Sequence, residues 1–259
     1  MPFVDIPEAR LHYELKGDSS LPVLVLSNSL GVSLAMWEPQ LNALAPHFRL
    51  LRYDTRGHGS SSISAGPYTI AQLGRDVLGL LDALEIAKAN FCGLSMGGAI
   101  GQWLGFEASD RINKLILCNT AAKIGNDDTW NARIALVQSE GLTPIIPGTL
   151  ERWFTADFRS SHPEAAAQVK AMLEATKVEG YAACCAAVRD FDLRESVPGI
   201  TAPTLVVAGS YDPVTTSEDG RWLAAAIPDS KYAELPAAHL SNIQAADAFN
   251  AELLSFLLT

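Results

Sequence analysis

The segment that decides the fold is residues 89–100, whose sequence is Ala-Asn-Phe-Cys-Gly-Leu-Ser-Met-Gly-Gly-Ala-Ile. It predicts a short strand, a sharp turn and the first turn of a helix. Gly93 and Gly97 lie two positions on either side of Ser95, and residues this small allow the strand and helix backbones to approach each other closely. We therefore expect a strained corner that holds the Ser95 hydroxyl clear of the sheet.

A serine at such a corner is a candidate nucleophile, but a hydroxyl alone reacts weakly. A histidine must accept its proton, and a carboxylate must orient that histidine. The alternative is a glycine-rich strand-to-helix turn that carries no chemistry. The partners that the rest of the chain supplies decide between these interpretations.

The composition favours a globular α/β protein. The chain has 259 residues, of which 48% are hydrophobic and 19% charged, which is enough for one large α/β domain with or without an inserted smaller one. Its 19 Lys and Arg against 29 Asp and Glu give a net charge of -10, which repels polyanions and argues against nucleic-acid binding. No stretch is long and apolar enough to span a bilayer, so no membrane partner is expected.

The four cysteines and the N-terminus indicate a cytoplasmic protein. Cys92, Cys118, Cys184 and Cys185 have neither the spacing of a zinc site nor that of a disulfide framework, so we predict no metal site and buried thiols in a reducing compartment. The N-terminus lacks the basic region and apolar core of a secretion signal. The oligomeric state stays open.

Strands and helices are predicted to alternate along most of the chain. An N-terminal antiparallel hairpin is followed by predicted strands at 22–27, 48–54, 89–94, 114–119, 203–209 and 231–235, and a crossover helix over residues 70–84 leads into the strand at 89–94. Such alternation predicts a mostly parallel sheet flanked by helices. Between residues 121 and 198 the pattern is helical only. We therefore predict a core of residues 1–120 and 199–259 with an inserted helical cap over the carboxyl ends of the strands, residues 121–198.

Ser95, Asp212 and His239 each follow a predicted strand at the same sheet edge. Their chain order of nucleophile, acid and histidine is that of the α/β-hydrolase fold, which is the fold class we predict. Asp229 is a weaker acid candidate because it lies near the amino end of the following strand. The other histidines lie in a strand, before a strand, in an early loop and in the cap, and are His12, His47, His58 and His162. A protein of this fold that keeps the triad without catalysis is the alternative.

Acyl transfer also needs hydrogen-bond donors for the oxygen that becomes negative. In this fold we expect them to be the backbone amides of Met96, directly after the nucleophile, and of Leu30, in the loop after the strand at 22–27. Asn28 and Ser29 are expected to fix that loop and not to bind the oxyanion through their side chains. His58, flanked by glycines, is expected to shape its own loop.

The chain resembles the 3-oxoadipate enol-lactonases of the α/β-hydrolase superfamily over nearly its whole length. Motifs shared across the superfamily stand at residues 28–31, 36–37, 53–61, 93–98 and 101–104. More specific to the lactonases are the stretches at 117–125, 152–155 and 180–187. The chain departs from many relatives of the superfamily at Asn28-Ser29, where they have His-Gly.

The resemblance implies hydrolysis of 3-oxoadipate enol-lactone, a small anionic substrate, in aromatic degradation through protocatechuate or catechol, the β-ketoadipate pathway. It implies attack by Ser95 and no metal or organic cofactor. The alternatives are a general carboxylesterase, a hydrolase of carbon–carbon bonds, or a ligand receptor of the same fold that does not turn over. A haloalkane dehalogenase is disfavoured because it needs a carboxylate where Ser95 stands.

The substrate carboxylate requires a local cation, because a protein of net charge -10 does not attract it through its overall field. The predicted cap carries 8 of the 19 Lys and Arg residues. Arg133 is our first candidate because it follows Trp130 on an apolar stretch, with Trp153 as a wall of the pocket; Lys123 and Arg152 are the others. The alternative is that Arg133 lies on the solvated face of its helix.

Overall fold

A computed structural model describes residues 2–259; Met1, which the predicted core range includes, lies outside them. The described chain forms one eight-stranded sheet with the strand order β1-β2-β4-β3-β5-β6-β7-β8. The strands are β1 Phe3–Ile6, β2 Ala9–Lys16, β3 Val23–Ser27, β4 Arg49–Tyr53, β5 Ala89–Leu94, β6 Ile112–Cys118, β7 Thr204–Gly209 and β8 Lys231–Leu235. β1 and β2 are antiparallel to their neighbours and all other pairs are parallel, which confirms the predicted sheet.

The central strands are buried on both faces. In β3, the side chain of Val25 packs into one hydrophobic core, while those of Leu24 and Leu26 pack into a second core on the opposite face. Side chains alternate between the two faces of a strand, so a continuous apolar run is needed where helices cover both. This is the physical origin of the apolar runs in the sequence.

Six helices of the described chain flank the sheet or follow its last strand, and one of them was not predicted. They are α1 Glu38–Leu44, α2 Ile70–Ala83, α3 Met96–Glu107, α9 Ser217–Ala226, α10 Ser241–Gln244 and α11 Ala246–Leu257. α9 escaped prediction because it buries only Gly220 and Leu223, which leaves little apolar periodicity. A capping box of Thr216 and Asp219 was the available signal.

Within residues 2–259, every helix falls short of the length and apolarity that a bilayer crossing requires.

The segment between β6 and β7 contains the remaining α-helices of the described residues. They are α4 Asp127–Glu140, α5 Ile146–Trp153, α6 Ala156–Ser161, α7 Pro163–Ala175 and α8 Val178–Asp190. α6, with six residues, is shorter than two turns. The helices fall inside the range 121–198, whose boundaries as a cap stay a prediction.

One cap helix touches the core backbone to backbone. A Cβ at Gly180, near the start of α8, would lie 2.0 Å from the carbonyl oxygen of Gly57 in the loop after β4. Gly57 itself has a φ of +80°, a conformation that favours glycine. Both positions therefore require glycine, and α8 rests directly on this core loop.

Candidate active site

Ser95 occupies the sharp corner that the sequence predicts. It ends the turn between β5 and α3 with a φ of 58° and a ψ of -112°, a strained conformation for a residue with a side chain. A Cβ at Gly93 would lie 2.0 Å from the carbonyl oxygen of Gly97, and one at Gly97 would lie 2.2 Å from that of Ser27. The two glycines are thus required for the strand, the helix and the end of β3 to meet around the serine.

Asp212 and His239 are joined behind the serine by a fully buried hydrogen bond. The distance from His239 Nδ1 to Asp212 Oδ2 is 2.8 Å. Burial by itself raises the pKa of Asp212, but the charge of His239 and hydrogen bonds from His239, Asn119 and the Val214 amide outweigh it, so the pKa lies below its ordinary value. An ionised carboxylate only accepts hydrogen bonds, so Nδ1 carries the proton and Nε2 is left as the base.

Asn119 supports the acid and was missed by the sequence reasoning. It stands directly after β6, where its side-chain amide donates to Asp212 Oδ2 at 3.0 Å and to the carbonyl oxygen of Ala238 at 3.2 Å. Its φ of 43° is unusual for a residue other than glycine. A polar residue at the carboxyl end of a strand between the Ser95 and Asp212 strands was the signal that would have found it.

Five of the seven predicted site residues line one small cavity, whereas Asp212 and Met96 lie outside its lining. Its lining includes Leu30, Ser95, Arg133, Trp153 and His239, and Met96 begins α3 directly after the serine. The Trp153 ring packs at 6.1 Å from the His239 ring, centroid to centroid. Within residues 2–259, Ser95 Oγ and His239 make no direct hydrogen bond; they face the same space, and contacts of this kind commonly tighten when substrate binds.

The loop after β3, which carries Leu30, is fixed mainly by other parts of the chain. Asn28 Nδ2 donates to the carbonyl oxygen of Tyr53 at 2.8 Å, and Trp37 Nε1 donates to Asn28 Oδ1 at 2.9 Å, so Asn28 fixes the loop as expected. Ser29 does not, because its hydroxyl has no hydrogen-bond partner within residues 2–259. The expectation that the Ser29 side chain fixes the loop is therefore wrong.

His58 shapes more than its own loop. Its Nε2 accepts a hydrogen bond from the Gly31 amide at 2.8 Å, next to Leu30. The ring is 1% exposed, and this burial lowers the pKa of His58 to about 4. His58 is thus neutral at ordinary pH, and its Nε2 can accept the hydrogen bond from the Gly31 amide. This bond fixes the peptide group that follows Leu30, the expected oxyanion donor.

The low pKa of His58 predicts a pH-dependent stability. Between about pH 6.5 and pH 4 the unfolded chain binds a proton at His58 and the folded chain does not, so the free energy of unfolding should fall by about 3 kcal/mol as the pH drops through this window. His58→Gln keeps an acceptor for the Gly31 amide but does not titrate. Urea unfolding at several pH values should show a shallower pH dependence for the variant; identical dependences would contradict the prediction.

Two of the three candidate cations reach the cavity. Arg133 Nε donates to the Tyr181 hydroxyl at 2.7 Å and its Nη2 to Thr149 Oγ1 at 2.9 Å, and Arg152 lines the cavity beside it. Burial and the charge of Arg133 lower the pKa of Arg152. Lys123 lies outside the cavity lining, because its amine donates to the carbonyl oxygen of Arg189 at 2.6 Å.

Comparisons with known proteins agree with this geometry. Residues 22–246 match the family model of the alpha/beta hydrolase fold. The chain is 45% identical to 3-oxoadipate enol-lactonase 2 of Acinetobacter baylyi, over 94% of this chain and 91% of the relative, and 41% identical to 3-oxoadipate enol-lactonase 1 of the same organism, over 92% and 90%. The crystal structure of the enol-lactonase from Burkholderia xenovorans LB400 matches with a TM-score of 0.98 and 48% identity, covering 100% of both chains.

The likeness therefore extends over nearly the whole chain, including the core and the helices between β6 and β7. A match of this length and identity reaches beyond the motifs that all members of the superfamily share. The chain belongs to the α/β-hydrolase family and, within it, to the 3-oxoadipate enol-lactonases.

Proposed function

We propose that this protein hydrolyses 3-oxoadipate enol-lactone to 3-oxoadipate in the β-ketoadipate pathway of aromatic degradation. The observation that carries the proposal is the cavity itself, which contains a serine nucleophile, a histidine base and two guanidinium groups. An ester bond that carries a free carboxylate nearby is the substrate such a site fits. The enol-lactonases among the relatives support the same substrate.

Ser95, His239 and Asp212 carry the chemistry in this proposal. Ser95 Oγ attacks the lactone carbonyl carbon while His239 Nε2 takes its proton, and Asp212 stabilises the resulting imidazolium. The amides of Leu30 and Met96 donate to the oxyanion. Collapse of the tetrahedral intermediate expels the enol oxygen, which takes the proton from His239 and tautomerises to the ketone. Water activated by His239 then releases 3-oxoadipate, with no metal or organic cofactor in any step.

Arg133 is proposed to bind the substrate carboxylate. Its bonds to Tyr181 and Thr149 fix the guanidinium plane, and Nη1 has no hydrogen-bond partner within residues 2–259. Neither Arg133 nor Arg152 is ion-paired with a carboxylate in the described part of the chain. Burial and the neighbouring charge of Arg133 both lower the pKa of Arg152. A bound anion would reduce the repulsion between the two guanidinium groups. Trp153 lines the same cavity and packs against His239.

The same arginines argue against the alternatives. A neutral ester leaves both positive charges uncompensated in a partly buried cavity, which is costly. The two arginines would therefore contribute nothing to the binding of a neutral carboxylesterase substrate. A receptor without turnover would have no need for the strained backbone at Ser95 or for the buried bond between Asp212 and His239.

The direct test is a panel of lactones and esters with and without a pendant carboxylate. Loss of the enol-lactone absorbance measures lactonase activity, and release of nitrophenol from a short nitrophenyl ester measures general esterase activity. We expect the highest kcat/KM for the anionic enol-lactone. Equal kcat/KM for its neutral methyl ester would favour a carboxylesterase, and no turnover of any substrate would favour the receptor.

Arg133→Ala should lower kcat/KM for the anionic enol-lactone by about ten- to a hundredfold, because a charge-assisted hydrogen bond of about 1.5–3 kcal/mol is lost. A neutral short ester should be hydrolysed at nearly the wild-type rate. Arg189→Ala is the matched control, since Arg189 is a cap arginine paired with Asp190 outside the cavity. Equal losses on both substrates would indicate damage to the cap, and a loss confined to Arg152→Ala would move the carboxylate site to Arg152.

The cytoplasmic location expected from the sequence stays a prediction. Its support is the state of the four cysteines, all of which are buried thiols. Cys92 and Cys118 lie with their sulfurs 3.8 Å apart in the core. We propose that the enzyme works where thiols stay reduced.

A further inference from the structure

The Ser29 hydroxyl is a buried polar group that the mechanism above does not use. Ser29 is 1% exposed, and its Oγ has no hydrogen-bond partner within residues 2–259. An unpaired buried hydroxyl destabilises a folded protein, so its presence calls for a reason. Ser29 lines the same cavity as Ser95 and His239 and directly precedes Leu30.

The loop does not need this hydroxyl to hold its shape. The Ser29 amide already faces Met36 Sδ at 3.3 Å, and Asn28 and Gly31 are tied down on either side by their own hydrogen bonds. Ser27, two positions earlier, has a hydroxyl with a structural role, because its Oγ lies 2.8 Å from the Tyr53 hydroxyl and forms a hydrogen bond with it. Of this pair, only Ser29 lines the cavity, and only its hydroxyl has no partner in the described residues.

We propose that the Ser29 hydroxyl is a third donor of the oxyanion hole, beside the amides of Leu30 and Met96. The proposal rests on acyl transfer at Ser95, as in the proposed function. When Ser95 Oγ bonds to the acyl carbon, its proton moves to His239 and the carbonyl π electrons move onto the carbonyl oxygen. Ser29 donates a hydrogen bond to that oxygen and keeps its own proton, so it stabilises charge that exists only in the transition state and intermediate.

The position of Ser29 favours the oxyanion over the substrate carboxylate. Ser29 belongs to the core loop that adjoins the N-terminus of α3, where Gly97 meets the carbonyl oxygens of Ser27 and Asn28. The guanidinium groups of the carboxylate site come from α4 and α5 of the cap. Ser29 thus belongs to the wall of the cavity that carries the nucleophile, and not to the wall that carries the two arginines.

The experiment compares Ser29→Ala with Ser27→Ala on two substrates, the enol-lactone and a neutral nitrophenyl ester. Ser29→Ala should lower kcat about ten- to a hundredfold on both, with KM within about threefold, because both substrates develop an oxyanion. Its thermal unfolding midpoint should be unchanged or higher. Ser27→Ala should do the reverse, lowering the midpoint and leaving kcat unchanged, since it removes a satisfied hydrogen bond outside the cavity.

Three results would overturn the proposal. The first is a kcat for Ser29→Ala within about threefold of wild type on both substrates. The second is a loss on the lactone alone, which would place Ser29 at the carboxylate. The third is a lower unfolding midpoint for Ser29→Ala matching that of Ser27→Ala, which would make the hydroxyl structural. If the wild-type protein did not hydrolyse the enol-lactone, the proposed function would be wrong. The assay with the nitrophenyl ester would still test the role of Ser29.

Discussion

Replacing Ser95 with alanine should lower kcat for the enol-lactone by about 10⁴-fold or more, and His239→Ala should do the same, because nucleophile and base act as one unit. Removing the Ser95 hydroxyl leaves no atom to form the acyl-enzyme. Removing the imidazole leaves the hydroxyl without a base. Steady-state assays on purified variants measure the loss, and circular dichroism confirms that each variant is folded.

The double variant Ser95→Ala/His239→Ala provides the control for this prediction. Its residual rate should match that of either single variant, since the second substitution removes nothing that is still in use. A folded Ser95→Ala protein that kept more than about a per cent of wild-type activity would show that another residue is the nucleophile. Additive losses would show that the two residues act independently.

Asp212→Asn is expected to lower kcat by about 10³- to 10⁴-fold. Asp212 Oδ2 accepts hydrogen bonds from His239, Asn119 and Thr215, so an amide nitrogen at that place would meet three donors. If the amide oxygen takes that place instead, the nitrogen faces the amides of Val214 and Thr215. Either arrangement leaves buried donors unpaired and removes the charge that fixes the His239 tautomer.

The same substitution at a second aspartate separates catalysis from stability. Asp219→Asn weakens the capping box at the start of α9, on the surface and away from the cavity. It should lower the unfolding midpoint slightly and leave kcat unchanged. Asp212→Asn with wild-type kcat would exclude Asp212 as the residue that orients His239.

The alternation of apolar runs and amphipathic stretches was sufficient to predict the parallel sheet, and the glycine spacing around Ser95 predicted the corner. These features are local consequences of burial and of backbone sterics, so they leave a pattern in the sequence. Because Ser95, Asp212 and His239 each follow a predicted strand, all three were expected at one edge, since the carboxyl ends of parallel strands lie together.

The parts that escaped prediction depend on contacts between distant segments. Asn119 meets Asp212 across 93 positions, and Gly31 meets Thr176 across 145. Contacts between residues so far apart in the sequence produce no periodic pattern from which they could be predicted. Arg133 was favoured over Lys123 only because its neighbours in the sequence are apolar. The residues near Lys123 in the sequence give no sign that its amine donates a hydrogen bond to the Arg189 carbonyl oxygen.

The Gly31 backbone links the loop after β3 to the helical segment between β6 and β7. Its amide donates to His58 in the core, while its carbonyl oxygen accepts from Thr176 Oγ1 at 3.0 Å, directly after α7. A chimera that receives residues 121–198 from another hydrolase thus changes the support of Leu30 together with the lining of the cavity. We expect a graft without a hydroxyl at 176 or a glycine at 180 to slow acyl transfer for every substrate alike, because it disturbs the proposed oxyanion donor Leu30.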